Sequence, residues 1–291
     1  MNVITILRIV LGIFVLCSAA FFIKDCLAHK EDFGKGGKWI PLAIIGVITN
    51  LLDTWGIGSY ATTQAGFKFT KSSPDETVPG TLNVGDTFPV TLEALLFFSF
   101  VDVEPLTLVL MLVAAIAGAL VGAGIVCKWE VKYVRIGLGV GLAILAVVMA
   151  CRNAGIGPFG LVGTATGLTG VKLVIGVVCN FFLGAFMMIG VGLYAPCMAL
   201  TNALGMSPKV TFPIMMGSCA FLMNAACFKF IKEGKYDRKA SVCLATFGCV
   251  GVVIAYKVAS MLPMTALTWV IIVVMIYTSI TFFKDAFKAQ A

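Results

Sequence analysis

Residues 45–61 read Ile45-Gly46-Val47-Ile48-Thr49-Asn50-Leu51-Leu52-Asp53-Thr54-Trp55-Gly56-Ile57-Gly58-Ser59-Tyr60-Ala61. An apolar helical run meets an amide, a carboxylate and two glycines without leaving its hydrophobic surroundings. In hydrocarbon every backbone amide needs a partner, so such a break belongs where the chain turns inside protein. Glycine supplies the backbone freedom for that turn. The whole block, 39–67, therefore reads as a helical hairpin that enters a membrane and returns. Block 171–206 has the same character. As helix it would be about 54 Å long, too long for one crossing of about 30 Å and too short for two plus a turn. It is interrupted by Gly190, Gly192 and Pro196.

The two hairpins are related in sequence. Ile45-Gly46-Val47 with Asn50-Leu51-Leu52 recurs as Ile175-Gly176-Val177 with Asn180-Phe181-Phe182 at the same spacing. Gly56-Ile57-Gly58-Ser59-Tyr60-Ala61 recurs as Gly190-Val191-Gly192-Leu193-Tyr194-Ala195, and Thr87-Phe88-Pro89-Val90 as Thr211-Phe212-Pro213-Ile214. These ordered matches describe an internal repeat. Each unit is a hairpin plus three crossings, an odd number, so the second lies inverted relative to the first. The expected division is an N-terminal membrane helix and loop over 1–38, repeat 1 over 39–152, an extracytoplasmic linker over 153–170 and repeat 2 over 171–291.

The rest of the chain agrees with a membrane setting. Of 291 residues, 60% are hydrophobic and 12% charged, with mean hydropathy +1.03, against about 45–50% and about 25% in soluble domains. Besides the hairpins, seven apolar blocks (3–23, 84–101, 105–127, 133–151, 210–228, 240–259 and 264–283) match single crossings. The fold class expected is an all-α polytopic membrane protein: about seven crossing helices plus two broken hairpins, arranged as two inverted repeats.

Charge fixes a sidedness. If both hairpins return to their own side, 16 of the 21 Lys and Arg fall on one face, in 24–38, 68–71, 128–135, 229–239 and 284–288. The positive-inside rule makes that face cytoplasmic, with the N-terminus outside and the C-terminus inside. Loops 102–104, acidic, and 260–263, uncharged, fit the outer face. The net charge of +7 is thereby explained by orientation, and no nucleic-acid partner is expected. Basic residues follow the first block rather than precede it, the reverse of a signal peptide's order. The ten cysteines lack CxxC spacing, which favours helix packing over disulfides or zinc. The single histidine, His29, lies in the first basic loop. No enzyme, metal site or cofactor is expected.

Inverted repeats with broken hydrophobic segments point to a secondary transporter whose site lies where the breaks meet. The stretches Asp53-Thr54-Trp55-Gly56-Ile57-Gly58-Ser59-Tyr60-Ala61-Thr62-Thr63 and Pro79-Gly80-Thr81-Leu82-Asn83-Val84-Gly85-Asp86, with the doubled hairpin, resemble the TauE/SafE sulfite exporter family of bacterial and archaeal membrane proteins. The resemblance covers about residues 39–285. It implies export of sulfite, organosulfonates or related small anions across the cell membrane; an anion channel, or a carrier of another small organic anion, is the alternative. Many members carry three consecutive glycines in each hairpin, where this chain has Gly56-Ile57-Gly58 and Gly190-Val191-Gly192.

The candidate substrate-binding residues are Asn50, Gly56, Gly58, Tyr60, Thr87, Asn180, Gly190, Gly192, Tyr194, Cys197 and Thr211. Asn50 and Asn180 occupy matched helical positions, as ligands or as interhelical glue. Tyr60 and Tyr194 offer hydroxyls to an oxyanion or anchor the membrane interface. Thr87 and Thr211 bind an anion or cap helices, and Cys197 faces a sulfur substrate or packs. Asp53 and Glu93 are read as the carboxylates at membrane depth. An ionised carboxylate there costs about 2.5 to 3.5 kcal/mol, offset by a proton relay, a salt bridge or a water-filled mouth. Protons are accordingly candidate partners, and Gly118 and Gly122 make a GxxxG pair compatible with helix packing or a homo-oligomer.

Overall fold

A computed structural model describes residues 3–97, 103–157, 163–258 and 264–288. These form α-helices and two short 3-10 helices, Lys30–Gly34 and Asp75–Thr77, with one isolated backbone bridge, Ala165 to Met206. In chain order the α-helices are α1 Val3–Ala28, α2 Trp39–Thr54, α3 Ser59–Thr70, α4 Val78–Gly85, α5 Thr87–Phe97, α6 Pro105–Val126, α7 Val131–Asn153, α8 Gly170–Met187, α9 Tyr194–Ala203, α10 Pro208–Glu233, α11 Arg238–Val258 and α12 Met264–Lys288. Among the described residues six helices are long and apolar enough to cross a membrane: α1, α6, α7, α8, the Lys209–Glu233 stretch of α10, and α11. The chain is an all-α polytopic membrane protein.

Both odd blocks are hairpins that close on the side where they start. Gly37 N–H donates to Ser72 O across 3.1 Å, tying the beginning of α2 to the end of α3. Ala165 N–H donates to Gly205 O and Ser207 N–H to Ala165 O, tying the approach to α8 to the end of α9. The two closures lie at opposite ends of the molecule. Gly37 and Ser72 share an end with the basic loops, where Lys68 pairs with Asp75 and Asp285, Arg135 with Asp75, and Arg238 with Asp25 and Asp32. Residues 165 and 205–207 share the other end with Glu104, whose N–H donates to Thr166 O. The loops that charge counting groups together thus meet at one end. Residues 102, 158–162 and 260–263, which belong to the expected outer loops and linker, lie outside the described residues.

Packing follows the repeat. The first hairpin arm of one unit lies on the second crossing of the other: α2 on α11, and α8 on α6. The second arms behave alike, α3 touching α12 and α9 touching α7, while α7 lies along α12. Small residues let these backbones approach. A Cβ on Gly118 would overlap Phe181 O and one on Gly122 would meet Ala185 O, both on α8; one on Gly251 of α11 would overlap Val47 O of α2. The Gly118/Gly122 pair therefore serves helix packing within the chain, one of the two roles its spacing allows. α1 lies outside the repeats, against α10 and α5.

One expected boundary is corrected. The crossing assigned to 84–101 starts at Val78, as α4, and bends at Asp86 into α5. Pro89 has no N–H to give Gly85 O, so the ladder is interrupted there. The matching Pro213 is contained within an unbroken α10.

Candidate functional site

The breaks between α2 and α3 and between α8 and α9 bring two helix N-termini to the centre of the bundle. Gly56 (φ 79°), Gly58 (φ 99°) and Gly190 (φ 101°) take backbone conformations that side chains disfavour. Arg152 Nη1 donates to Gly56 O (2.6 Å) and Gln64 Nε2 to Gly190 O (2.7 Å), so each break is held by a side chain from elsewhere in the fold. Gly137 and Gly141 of α7 face Ile189 and Val191, the residues flanking Gly190.

Between the breaks lies a small, mainly apolar cavity. Its wall contains Asp53, Gly58, Ser59, Tyr60 and Ala61 from the first break and Met187, Gly192, Leu193, Tyr194 and Ala195 from the second. Val90, Leu145, Met149 and Cys219 stand in it as well. About 20 Å³ is open to the centre of a water-sized molecule, room for one water.

Around this cavity the polar groups form a connected set. Ser59 N–H and Oγ donate to the two carboxylate oxygens of Asp53 (2.7 and 3.1 Å), so Asp53 caps the N-terminus of α3. Thr54 Oγ1 and Tyr194 OH both donate to Glu93, at 2.6 and 2.8 Å. Glu93 thereby joins the end of α2 to the start of α9. Asn50 Nδ2 donates to Asp86 Oδ1 (3.0 Å), leaving Asp86 Oδ2 without a partner. Asp53, Asp86 and Glu93 are all buried, and no ion pair among the described residues includes any of them. The Tyr60 hydroxyl is also buried and unpartnered. Among the described residues no cluster of His, Cys, Asp and Glu could hold a metal ion.

The structure divides the sequence candidates. Gly58, Tyr60, Gly192, Tyr194 and Asp53 share the cavity wall, and Glu93 touches it through Tyr194. Gly56 and Gly190 lie just behind it as the carbonyls held by Arg152 and Gln64. Asn50 and Asn180 do not line it. Asn180 Nδ2 donates to Met111 O and Ser218 Oγ, joining α8 to α6 and α10. Asn50 reaches Asp86 and its own helix at Gly46 O. Both therefore act as interhelical bonds, satisfying the donor face of an amide in apolar surroundings. Thr87 Oγ1 bonds Asn83 O, and Thr211 Oγ1 lies 2.8 Å from Thr201 Oγ1, so both hydroxyls are engaged away from the cavity. Cys197 is buried outside the wall, and Cys219 stands in it instead.

Asp86 is a functional candidate that the sequence reading missed: it is a third buried carboxylate beside Asp53 and Glu93, bonded to Asn50 of α2. Placing the crossing at 84 puts Asp86 at its mouth; the helical start at Val78 carries it a further two turns inward. Pro79 at the first turn of α4 is a signal for that start. No protein-family model, curated protein or solved structure matches this chain.

Proposed function

We propose that this protein is a secondary transporter of small sulfur-containing anions of the sulfite and sulfonate class, working by alternating access between its two broken hairpins. The resemblance to the TauE/SafE family carries the choice of substrate. The observation supporting a carrier is the meeting of two glycine-broken helix starts, related by the repeat, at one small cavity. Helix N-termini present unpaired amides and a positive dipole end, which suit an anion. A cavity with room for a single water favours a carrier over an open channel, since a carrier rocks its halves around an occluded site.

The carboxylates bear on coupling. An unpaired charge at this depth is costly, and Asp53 and Glu93 adjoin the cavity, so movement of an anion is linked to neutralisation of this set by protons. With the basic end cytoplasmic, outward movement of a monoanion gains about 2.3 kcal/mol per 100 mV, while inward movement needs a compensating cation. The test is transport of sulfite, taurine, isethionate and acetate in proteoliposomes, with and without a pH gradient. Saturable sulfite or sulfonate flux altered by the gradient supports the reading. Flux that rises linearly with concentration overturns the carrier, and preference for acetate overturns the substrate class.

A further inference from the structure

The two helix starts at the cavity are equivalent by the repeat but are not equivalently filled. At α3, the Ser59 N–H is taken by Asp53, whose second oxygen accepts the Ser59 hydroxyl. At α9, the N–H that the repeat matches to it, that of Leu193, has no acceptor among the described residues; the next two amides, of Tyr194 and Ala195, have none either, as is also so of Tyr60 and Ala61 on α3. Pro196, the next residue, has no N–H to offer. The repeat explains the difference. Asp53 precedes Ser59 by six residues, and the residue six before Leu193 is Met187; counted through the matched Asn50 and Asn180, the counterpart is Leu183. Neither can cap. A second feature belongs to the same cavity: Tyr60 stands in its wall with Leu193, Tyr194 and Ala195, and its buried hydroxyl has no partner. The α9 amides and a free donor hydroxyl thus border one cavity, in whose wall the acceptor Asp53 is already engaged by Ser59.

We infer that the transported anion sits on the N-terminus of α9, against the amides of Leu193, Tyr194 and Ala195 and the hydroxyl of Tyr60, while Asp53 occupies the equivalent seat on α3, the Ser59 N–H, as a resident anion that must be neutralised before the mobile one enters. The inference rests on the anion reading above and adds the seat and the group that gates it. Two anions facing one cavity of low polarity repel strongly, and a proton on Asp53 removes that repulsion. The cost is partial loss of the α3 cap, since a neutral carboxyl accepts the Ser59 N–H less strongly than a carboxylate does. The groups facing Asp53 are Glu93 from α5, Asp86 from the α4–α5 bend, Tyr60 from α3, Tyr194 from α9 and Cys219 from α10. The nearby cation, Arg152 of α7, is turned to Gly56 O. None of these brings a positive charge onto Asp53.

The experiment is calorimetric titration of the purified full-length protein with isethionate, a sulfonate that stays ionised throughout, at about pH 5 and about pH 8. The wild type should bind about tenfold or more tightly at the lower pH. Asp53→Asn keeps an oxygen for the Ser59 N–H but removes the charge, and should bind tightly at both. Tyr60→Phe deletes only a hydroxyl that has no protein partner, so it leaves the fold intact, and should weaken binding about tenfold at both. A wild-type pH slope retained in Asp53→Asn overturns the gating role, and unchanged affinity in Tyr60→Phe overturns the seat. Absence of isethionate binding by the wild type at either pH overturns the anion reading itself, and the two failures are thereby distinguished.

Discussion

Tyr194 donates its hydroxyl to Glu93 across 2.8 Å, linking the start of the second broken helix to a carboxylate supplied by the first repeat. Residues 101 positions apart in sequence are thus joined at the cavity, and Thr54 completes the link from the other hairpin. Glu93→Leu leaves the buried Tyr194 hydroxyl without its acceptor, while Thr54 still reaches Asn50 O (2.9 Å), and should lower stability by about 1–3 kcal/mol. Glu93→Gln keeps one acceptor oxygen and should fall less. In proteoliposomes, Glu93→Gln should lose accumulation driven by a pH gradient while retaining anion-for-anion exchange. Gradient-driven accumulation that persists in this variant would remove Glu93 from coupling.

Glycine at 118 is a packing requirement of α6 on α8. Gly118→Ala places a methyl on Phe181 O, and the helices must separate, at a cost of about 1–3 kcal/mol. On the same helix, a methyl at Gly124 would meet nothing within 4 Å, so Gly124→Ala should be neutral or mildly stabilising. Thermal unfolding in detergent compares the two. Equal melting temperatures would contradict the contact.

Glu104 caps α6, accepting from Leu106 N–H (3.2 Å) and from Thr107 N–H (2.7 Å) and its hydroxyl. The Thr107 hydrogen bonds hold its carboxyl below the ordinary glutamate value of 4.5. A lowered folded-state pKa means stability that is present above the unfolded value and lost as pH falls through the folded one. Glu104→Ala should therefore cost about 1 kcal/mol at neutral pH. The difference from wild type should shrink as pH drops below about 4.5, read from chemical denaturation across that range.

The ion-paired end should face the cytoplasm. An epitope inserted after Gly234, which ends α10 in a left-handed turn (φ 64°), should be reached by antibody only after the membrane is permeabilised. One inserted after Gly155 should be reached in intact cells. The reverse pattern would invert the proposed orientation without altering the fold.

What the sequence determined is the local framework. Hydropathy blocks set the helices, and glycine breaks at 56–58 and 190–192 set the hairpins. The lengths of those blocks required the arms to return, as the Gly37–Ser72 and Ala165–Ser207 bonds show. These features are legible because each depends on neighbours along the chain: helix length, backbone freedom and the need to pair amides in lipid.

The tertiary structure decided which polar atoms meet. Helices apolar on nearly every side carry little record of which face turns inward, so nothing in the periodicity separates Asn50, bonded to Asp86 in a helix seam, from Tyr60, set in the cavity wall. Cys197 and Cys219 are equivalent as residues in apolar blocks, yet only the packing of α10 against α8 and α9 puts Cys219 at the cavity. The depth of Asp86 depended on where α4 begins. The unequal filling of the two helix starts depended on Asp53 reaching Ser59 across the turn, a contact fixed by the three-dimensional path of the break and absent from the linear pattern that the two repeats share.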